Sequence, residues 1–322
     1  MKRKIMKRHL LLLSVLSVLT LSCERDNENP YDDDWLKLEA SFPVDLRTQS
    51  AVLKGSIQAG KDYNGWEHGF CLKGSVKGSP AYDNASFQYY PVKGEGDITL
   101  ELDGLTKGGH YEYYVYVKNG EHEEKSKSVE FYTYTDAGYE MEAVNLGNFR
   151  KWAVKNIGAA SPEVPGSYFA WGEKYSKSEY SSANYKYTDS PYTLPRSADV
   201  ASQVLGGRWR MPTQHDFDLL LSYCDWEYTT LNGALYGIVF KGRNSYKDNW
   251  IFFPFGGTYH DSELRDYNSA GYYYTSEARN SQYAYGLFVS YPLNPDNISP
   301  YIGISANCWR SNGYTIRAVQ DI

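Results

Sequence analysis

The run Tyr111-Glu112-Tyr113-Tyr114-Val115-Tyr116-Val117-Lys118, closed by Asn119-Gly120, constrains this chain more than any other stretch. Side chains alternate across a strand, so Tyr111, Tyr113, Val115 and Val117 share one face and Glu112, Tyr114, Tyr116 and Lys118 share the other. A period of two buries its apolar face only as a strand, and Asn-Gly is the pair that a tight hairpin turn favours. Ala51, Leu53 and Gly55 through Ile57 repeat the pattern, as do Ile98, Leu100 and Leu102. Several short alternating runs separated by turns predict a β-sandwich over residues 37–135. Leu105 followed by Tyr111 further predicts a tyrosine corner, with the phenol bonded to backbone just upstream.

The chain has 322 residues, a length that suits about two domains. With 32 Tyr, 28 Gly and 22% charged residues, it has the composition of β-rich globular domains and not of a disordered polymer. The N-terminus reads as an export signal over residues 1–22. Lys2, Arg3, Lys4, Lys7 and Arg8 precede an apolar run at 10–21, which is too short to span a bilayer. Removing those five bases moves the formal charge from −6 to −11. That balance argues against a nucleic-acid partner, because phosphate binding needs a basic patch. Cys71, Cys224 and Cys308 remain beyond Cys23; an odd number without metal-type spacing predicts small buried residues and no disulfide framework.

Leu19-Thr20-Leu21-Ser22-Cys23 resembles a bacterial lipobox, with Thr20 where Leu is usual. The resemblance implies a lipidated Cys23 that holds the protein to a membrane through acyl chains. Residues 23–36 then read as a tether, acidic through residues 24–34 and interrupted by Pro30. Acids directly after the lipidated cysteine resemble the surface-export signals of Bacteroides-type lipoproteins, which implies an outer-membrane protein facing outside. The segments Thr48-Gln49-Ser50-Ala51-Val52-Leu53-Lys54-Gly55, Glu67-His68-Gly69-Phe70-Cys71 and Leu105 through Gly120 resemble the fibronectin type III-like modules of such lipoproteins. Those modules usually serve as spacers.

After a short joint at residues 136–140, a second domain is expected at 138–322. Its motifs include Lys151-Trp152-Ala153, Asn156-Ile157-Gly158-Ala159, Phe169-Ala170-Trp171-Gly172-Glu173 and Gly206-Gly207-Arg208-Trp209-Arg210-Met211-Pro212-Thr213. Further along come Gly271-Tyr272-Tyr273-Tyr274-Thr275-Ser276 and Arg310-Ser311-Asn312-Gly313-Tyr314-Thr315-Ile316-Arg317. In this order they resemble the Fibrobacter-type major paralogous domain. That family is similar to C-type-lectin-like folds and, more distantly, to the formylglycine-generating enzyme. The implied fold is a mixed α+β C-type-lectin-like domain with two short helices. Ser197 is positioned to cap the first helix, which Gly206 ends after Leu205. Thr213 and Asp216 form a capping-box pattern for the second, with Phe217, Leu220 and Leu221 on its core face. Trp152, Trp171 and Trp209, each beside small residues, read as structural.

Catalytic signatures are sparse. His215 and Asp216 are helix neighbours that point to different faces, so they read as helix surface. The chain contains no nucleophile elbow, zinc-protease motif or phosphate loop, and no cofactor or metal is implied. An oxidase of the formylglycine-generating type would use two closely spaced cysteines near the C-terminus, whereas Cys308 stands alone there. The expectation is a non-enzymatic recognition or adhesion protein whose partner is a glycan or a protein. A structural or polysaccharide-utilisation accessory role is the alternative.

The expected site lies in residues 271–322, where 8 Tyr, 5 Asn and 6 Ser concentrate stiff aromatic area and adaptable hydrogen bonding. The resemblance adds that diversity-generating retroelements rewrite this end of the chain in some lipoproteins of this fold, a process compatible with such a mixture. Alternation assigns Tyr285, Leu287 and Val289 to the core and Gly286, Phe288 and Ser290 to the opposite face. With Tyr272 to Ser276 and Gly313 to Arg317 set aside as scaffold, the binding residues expected are Asn280, Tyr283, Phe288, Ser290, Tyr291, Tyr301, Asn307 and Trp309. Residues 294–309 are read as a loop.

Overall fold

A computed structural model describes residues 35–60, 63–74, 85–291 and 301–322. The expected export signal at 1–22, Cys23 and the acidic part of the tether through residue 34 lie outside the described residues, as does the 294–300 part of the expected loop, whereas Leu36, expected in the tether, already belongs to the first strand. The described chain is mostly β-sheet. In its first part, β1 (Leu36–Val44), β2 (Ser50–Ala59) and β5 (Gly96–Asp103) form one sheet in the order β1-β2-β5. The second sheet contains β3 (Glu67–Gly74), β4 (Gln88–Pro91), β6 (His110–Asn119), β7 (His122–Lys125) and β8 (Val129–Tyr132). Its order is β4-β3-β6, and both β7 and β8 pair with β6.

The period-two residues lie between these sheets. Leu53, Phe70, Tyr113, Val115 and Phe131 are fully buried in one cluster. The Tyr111 phenol accepts a bond from the Thr106 backbone N–H at 2.8 Å, the local tie expected of Leu105 and Tyr111. The other face of β6 departs from simple alternation, because Tyr114 and Tyr116 are also buried, together with Cys71. Rings from beside and within β4 cover them: Phe87 lies 5.2 Å from Tyr114, and Tyr89 lies 4.8 Å from Tyr116.

The joint is a helical turn, α1 (Asp136–Glu140), with Thr135 as its N-cap. It docks on α2 (Val200–Leu205), where a Cβ on Gly138 would sit 1.7 Å from the Leu205 carbonyl oxygen. The Thr135 hydroxyl donates to Val204 O at 2.6 Å, and Gly207 N–H donates to Tyr132 O at 2.9 Å. The two parts of the chain are therefore joined by packed backbone. α2 is capped by Asp199, not by Ser197 as the sequence suggested. The Asp199 carboxylate accepts both Ser202 N–H (2.9 Å) and Met211 N–H (2.8 Å), a double task beyond a serine hydroxyl two positions earlier.

The second part brings its first and last strands together: β9 (Ala143–Asn145), β10 (Arg150–Ala153) and β19 (Val319–Asp321) pair in the order β19-β10-β9. Between them lie α3 (Gln214–Tyr223), the sheet β11 (Asp225–Thr230), β12 (Tyr236–Lys241) and β13 (Trp250–Pro254), and a hairpin of β14 (Thr258–His260) and β15 (Glu263–Arg265). A last antiparallel sheet runs β16 (Ala270–Ala278), β17 (Tyr283–Ser290), β18 (Tyr301–Trp309). The expected loop at 294–309 is therefore a strand from Tyr301 onward. Ile302 and Ile304 supply the apolar alternation that pulls it onto the core, although Gly303, Ser305 and Asn307 disguise the pattern.

Trp171 and Trp209 centre one core cluster, and Trp152, Phe217, Phe253, Leu287 and Val289 form another. All three tryptophans are buried. α3 begins with the Thr213–Asp216 capping box. His215 is exposed as expected, but Asp216 is not a surface residue. Its fully buried carboxylate binds Arg150 Nε at 2.5 Å and Arg210 Nη1 at 2.6 Å.

Candidate functional site

The register of the β16-β17-β18 sheet decides what the candidate residues can do together. Tyr272 pairs with Phe288, and Phe288 with Gly303. On the face turned away from Leu287 and Val289, the ring centroids of Tyr272 and Phe288 are 4.9 Å apart, and those of Phe288 and Tyr301 are 5.5 Å apart. Tyr314 and Tyr274 continue the row inward at 5.1 Å and 4.4 Å. The row runs from a buried Tyr274 to a Tyr301 that is 47% exposed. Ser290 lies opposite Tyr301 at its outer end. Gly303 keeps the face low beside Tyr301, whose hydroxyl oxygen would lie 3.1 Å from a Cβ added there. The Tyr272 hydroxyl is anchored by Asp266 at 2.7 Å. Phe288, Ser290 and Tyr301 thus form one surface, and Tyr272, which the sequence reading set aside as scaffold, belongs to it.

The other candidates lie elsewhere. Tyr283 and Trp309 face each other across β17 and β18 with centroids 4.4 Å apart. Five residues of strand separate Tyr283 from Phe288, roughly 16 Å at about 3.3 Å per residue, and the odd offset puts them on opposite pleat faces. Asn280 braces the intervening turn: its side-chain oxygen accepts Gln282 N–H (2.9 Å) and Tyr283 N–H (2.8 Å). The Asn307 amide oxygen is taken by Arg279. Both oxygens are therefore committed within the protein. Tyr291 stacks on Tyr236 (5.6 Å, 11°) and meets the edge of Tyr228 at 5.6 Å, on the Leu287 side of the sheet. Trp226 extends this second aromatic strip, 5.9 Å from Tyr228. Tyr285, expected in the core, is only half-buried. Both partner strands shift register opposite Tyr285, β16 between Tyr274 and Ala278 and β18 between Ser305 and Cys308, so the packing that buries Leu287 and Val289 does not extend to it.

A cleft of about 450 Å³ opens beside the Asn280 turn. Glu173, Tyr175, Lys177, Lys186, Tyr187 and Asp189 line it, none of them a sequence candidate. Glu173 pairs with Lys177 at 2.8 Å and accepts Lys186 N–H at 2.6 Å, while the buried Tyr187 hydroxyl has no partner among the described residues. Arg310 builds the wall behind it. Its guanidinium lies 4.3 Å from the Trp171 ring and donates to Asp189 O (2.6 Å) and Ser281 O (3.2 Å), fastening the cleft to the 280–282 turn. The only advance signal was the presence of Trp171 and Arg310 in separate motifs.

The reactive groups are muted. Burial pushes the Cys308 thiol up to about 12, so it stays protonated at neutral pH, and burial does the same to Cys224. Among the described residues, no group of three or more His, Cys, Asp and Glu side chains is placed to hold a metal ion.

Neither a family model nor a curated protein matches this chain. Among solved structures, the sensor domain of the anti-sigma factor RsgI4 in Pseudobacteroides cellulosolvens is similar over 31% of this chain and 95% of its own. The identity is 16% and the TM-score 0.24.

Proposed function

We propose that the protein is a lipid-anchored recognition protein of the bacterial outer membrane, facing outside. In this reading a fibronectin type III-like spacer carries a C-type-lectin-like domain of the Fibrobacter-type major paralogous kind, which binds a glycan chain or a protein surface. The basic-then-apolar start ending at Cys23 supports the anchor. Pairing of a three-stranded sheet with one ordered β4-β3-β6 supports the spacer. The meeting of β10 and β19, near the two ends of the second part, supports the lectin-like assignment.

The row Tyr272, Phe288, Tyr301 carries the binding role. Tyr272 and Phe288 are half-buried and Tyr301 is exposed, so each ring forgoes part of the about 1.5–3 kcal/mol that full burial would bring, and a contiguous row of them is better explained by a partner than by folding. Here the rings project from paired strands, so little side-chain freedom is lost on binding. The flat surface with Gly303 and Ser290 beside the rings suits an extended ligand.

The test is binding to a panel of immobilised polysaccharides and mucins. Phe288→Ala with Tyr301→Ala is expected to weaken binding about thirtyfold, the effect of losing roughly 2 kcal/mol at an interface centre. Tyr175→Ala in the cleft is the control and should bind as the parent does. Undiminished binding by the double variant would remove the site from this face.

A further inference from the structure

A basic pocket lies where the two parts of the chain meet. A pocket of about 260 Å³ is lined by Phe42, Arg196, Arg208, Arg210 and Asp321. Phe42 comes from β1, and the Arg208 guanidinium lies 4.8 Å from its ring centroid. Arg196 lies 5.2 Å from the Tyr132 ring of β8. Strands of the first part and arginines of the second therefore share one cavity.

The three arginines are not equally satisfied. Arg210 is neutralised by Asp216 at 2.6 Å and Asp321 at 2.7 Å. Arg196 and Arg208 make no ion pair among the described residues. Arg196 donates one Nη to Gly207 O at 2.9 Å, and its buried Nε has no hydrogen-bond partner. Two acids act on it through space: Asp199 already accepts two backbone N–H groups, and Glu130 bonds the His110 ring at 2.9 Å. Burial lowers the proton affinity of Arg196, as it must for a guanidinium without a paired anion. Two guanidiniums without a direct ion pair among the described residues share one pocket in a protein of net charge −6. A guanidinium presents a fork of N–H donors that matches the oxygens of an oxyanion two at a time.

We propose that the pocket formed by Arg196, Arg208, Arg210 and Phe42 binds a tetrahedral oxyanion of the sulfate or phosphate class, and that the bound anion fastens the two parts of the chain together. The anion receives N–H donors from Arg196 and Arg208, while Arg210 stays held by its two aspartates. The source is either a free ion or an ester group carried on a saccharide.

The full mature chain, titrated with sodium sulfate against sodium chloride at matched ionic strength, tests this. Saturable binding by calorimetry is expected, with a rise in melting temperature that levels off. Sulfate also stabilises proteins by exclusion from their surface, and that effect does not saturate. Arg208→Gln, at an exposed side chain, should fold normally and bind at least tenfold more weakly; Arg196→Gln should abolish the saturable component. Arg243→Gln, remote from the pocket, should bind like the parent. A sulfated polysaccharide that binds where its desulfated form does not identifies the ester source, whereas binding of the inorganic ion alone identifies the free ion. Absence of saturable binding, or equal binding by the parent and Arg208→Gln, would overturn the proposal. The Phe288/Tyr301 double variant should retain sulfate binding, so this site and the aromatic face fail or stand separately.

Discussion

Arg317→Ala should destabilise the second part of the chain by about 4 kcal/mol, the scale found when a buried charged network loses one partner. Arg317 is fully buried and has no carboxylate partner among the described residues. Its guanidinium donates to the Asn156 side-chain oxygen (2.7 Å) and to the carbonyls of Ala153 (3.0 Å), Val154 (3.0 Å) and Phe252 (2.6 Å). It also lies 4.5 Å from the Phe253 ring centroid. Burial lowers its pKa to about 10, still far enough above neutrality to keep the charge. Truncation leaves four acceptors facing a hole, each costing about 1–3 kcal/mol, partly repaid because a desolvated charge is removed. These bonds join β10, the Asn156 turn and β13, so the loss should appear as a lower denaturation midpoint for the whole second part. Lysine at 317 should recover less than half, because a single ammonium cannot span four diverging acceptors. A change within about 1 kcal/mol for Arg317→Ala would show that the surrounding structure closes over the gap.

The second large effect is acid sensitivity through Asp216. Burial by itself would raise its pKa, but the hydrogen bonds and charge of Arg210, the Thr213 backbone N–H and the bond from Arg150 outweigh burial and hold it at about 2. A carboxylate with a depressed folded-state value contributes stability that is complete above its unfolded value of 3.8 and lost as pH falls toward 2. That interval corresponds to roughly 2.5 kcal/mol. Denaturant midpoints measured at pH 6, 4 and 2.5 should therefore fall for the parent. Asp216→Asn should start about 2–3 kcal/mol lower at pH 6 and change less with acid. Parallel curves for the two proteins would mean that another group controls acid unfolding.

These two residues also show how far the sequence could be read. The Thr213–Asp216 capping box is local, four adjacent residues with a fixed pattern, and it formed as expected. The arginine that meets Asp216 from β10 lies 66 positions away, and nothing in a helix pattern announces it. The strands of the first part were legible because their alternation persists over whole segments, whereas β18 was hidden by Gly, Ser and Asn between its isoleucines. Phe288, Ser290 and Tyr301 came together because the β17–β18 register is regular there. Tyr283 and Trp309 separated from them through parity, and Tyr285 lost its cover through register shifts in both partner strands, neither of which composition encodes. The cleft at 172–198 contains no helix or named strand, only isolated bridges at Tyr180 and Thr193, and Arg310 supports it from 121 residues away. Only folding brings those residues together.

Recognition through the Tyr272–Phe288–Tyr301 face is the claim on which the account depends. Hydrogen–deuterium exchange on the full chain, with and without a polysaccharide or mucin that it binds, tests it most directly. Slower exchange is expected in peptides covering 270–274, 286–291 and 301–305, with the cleft at 172–198 unchanged. Protection confined to 172–198, with these three strand segments unaffected, would contradict it.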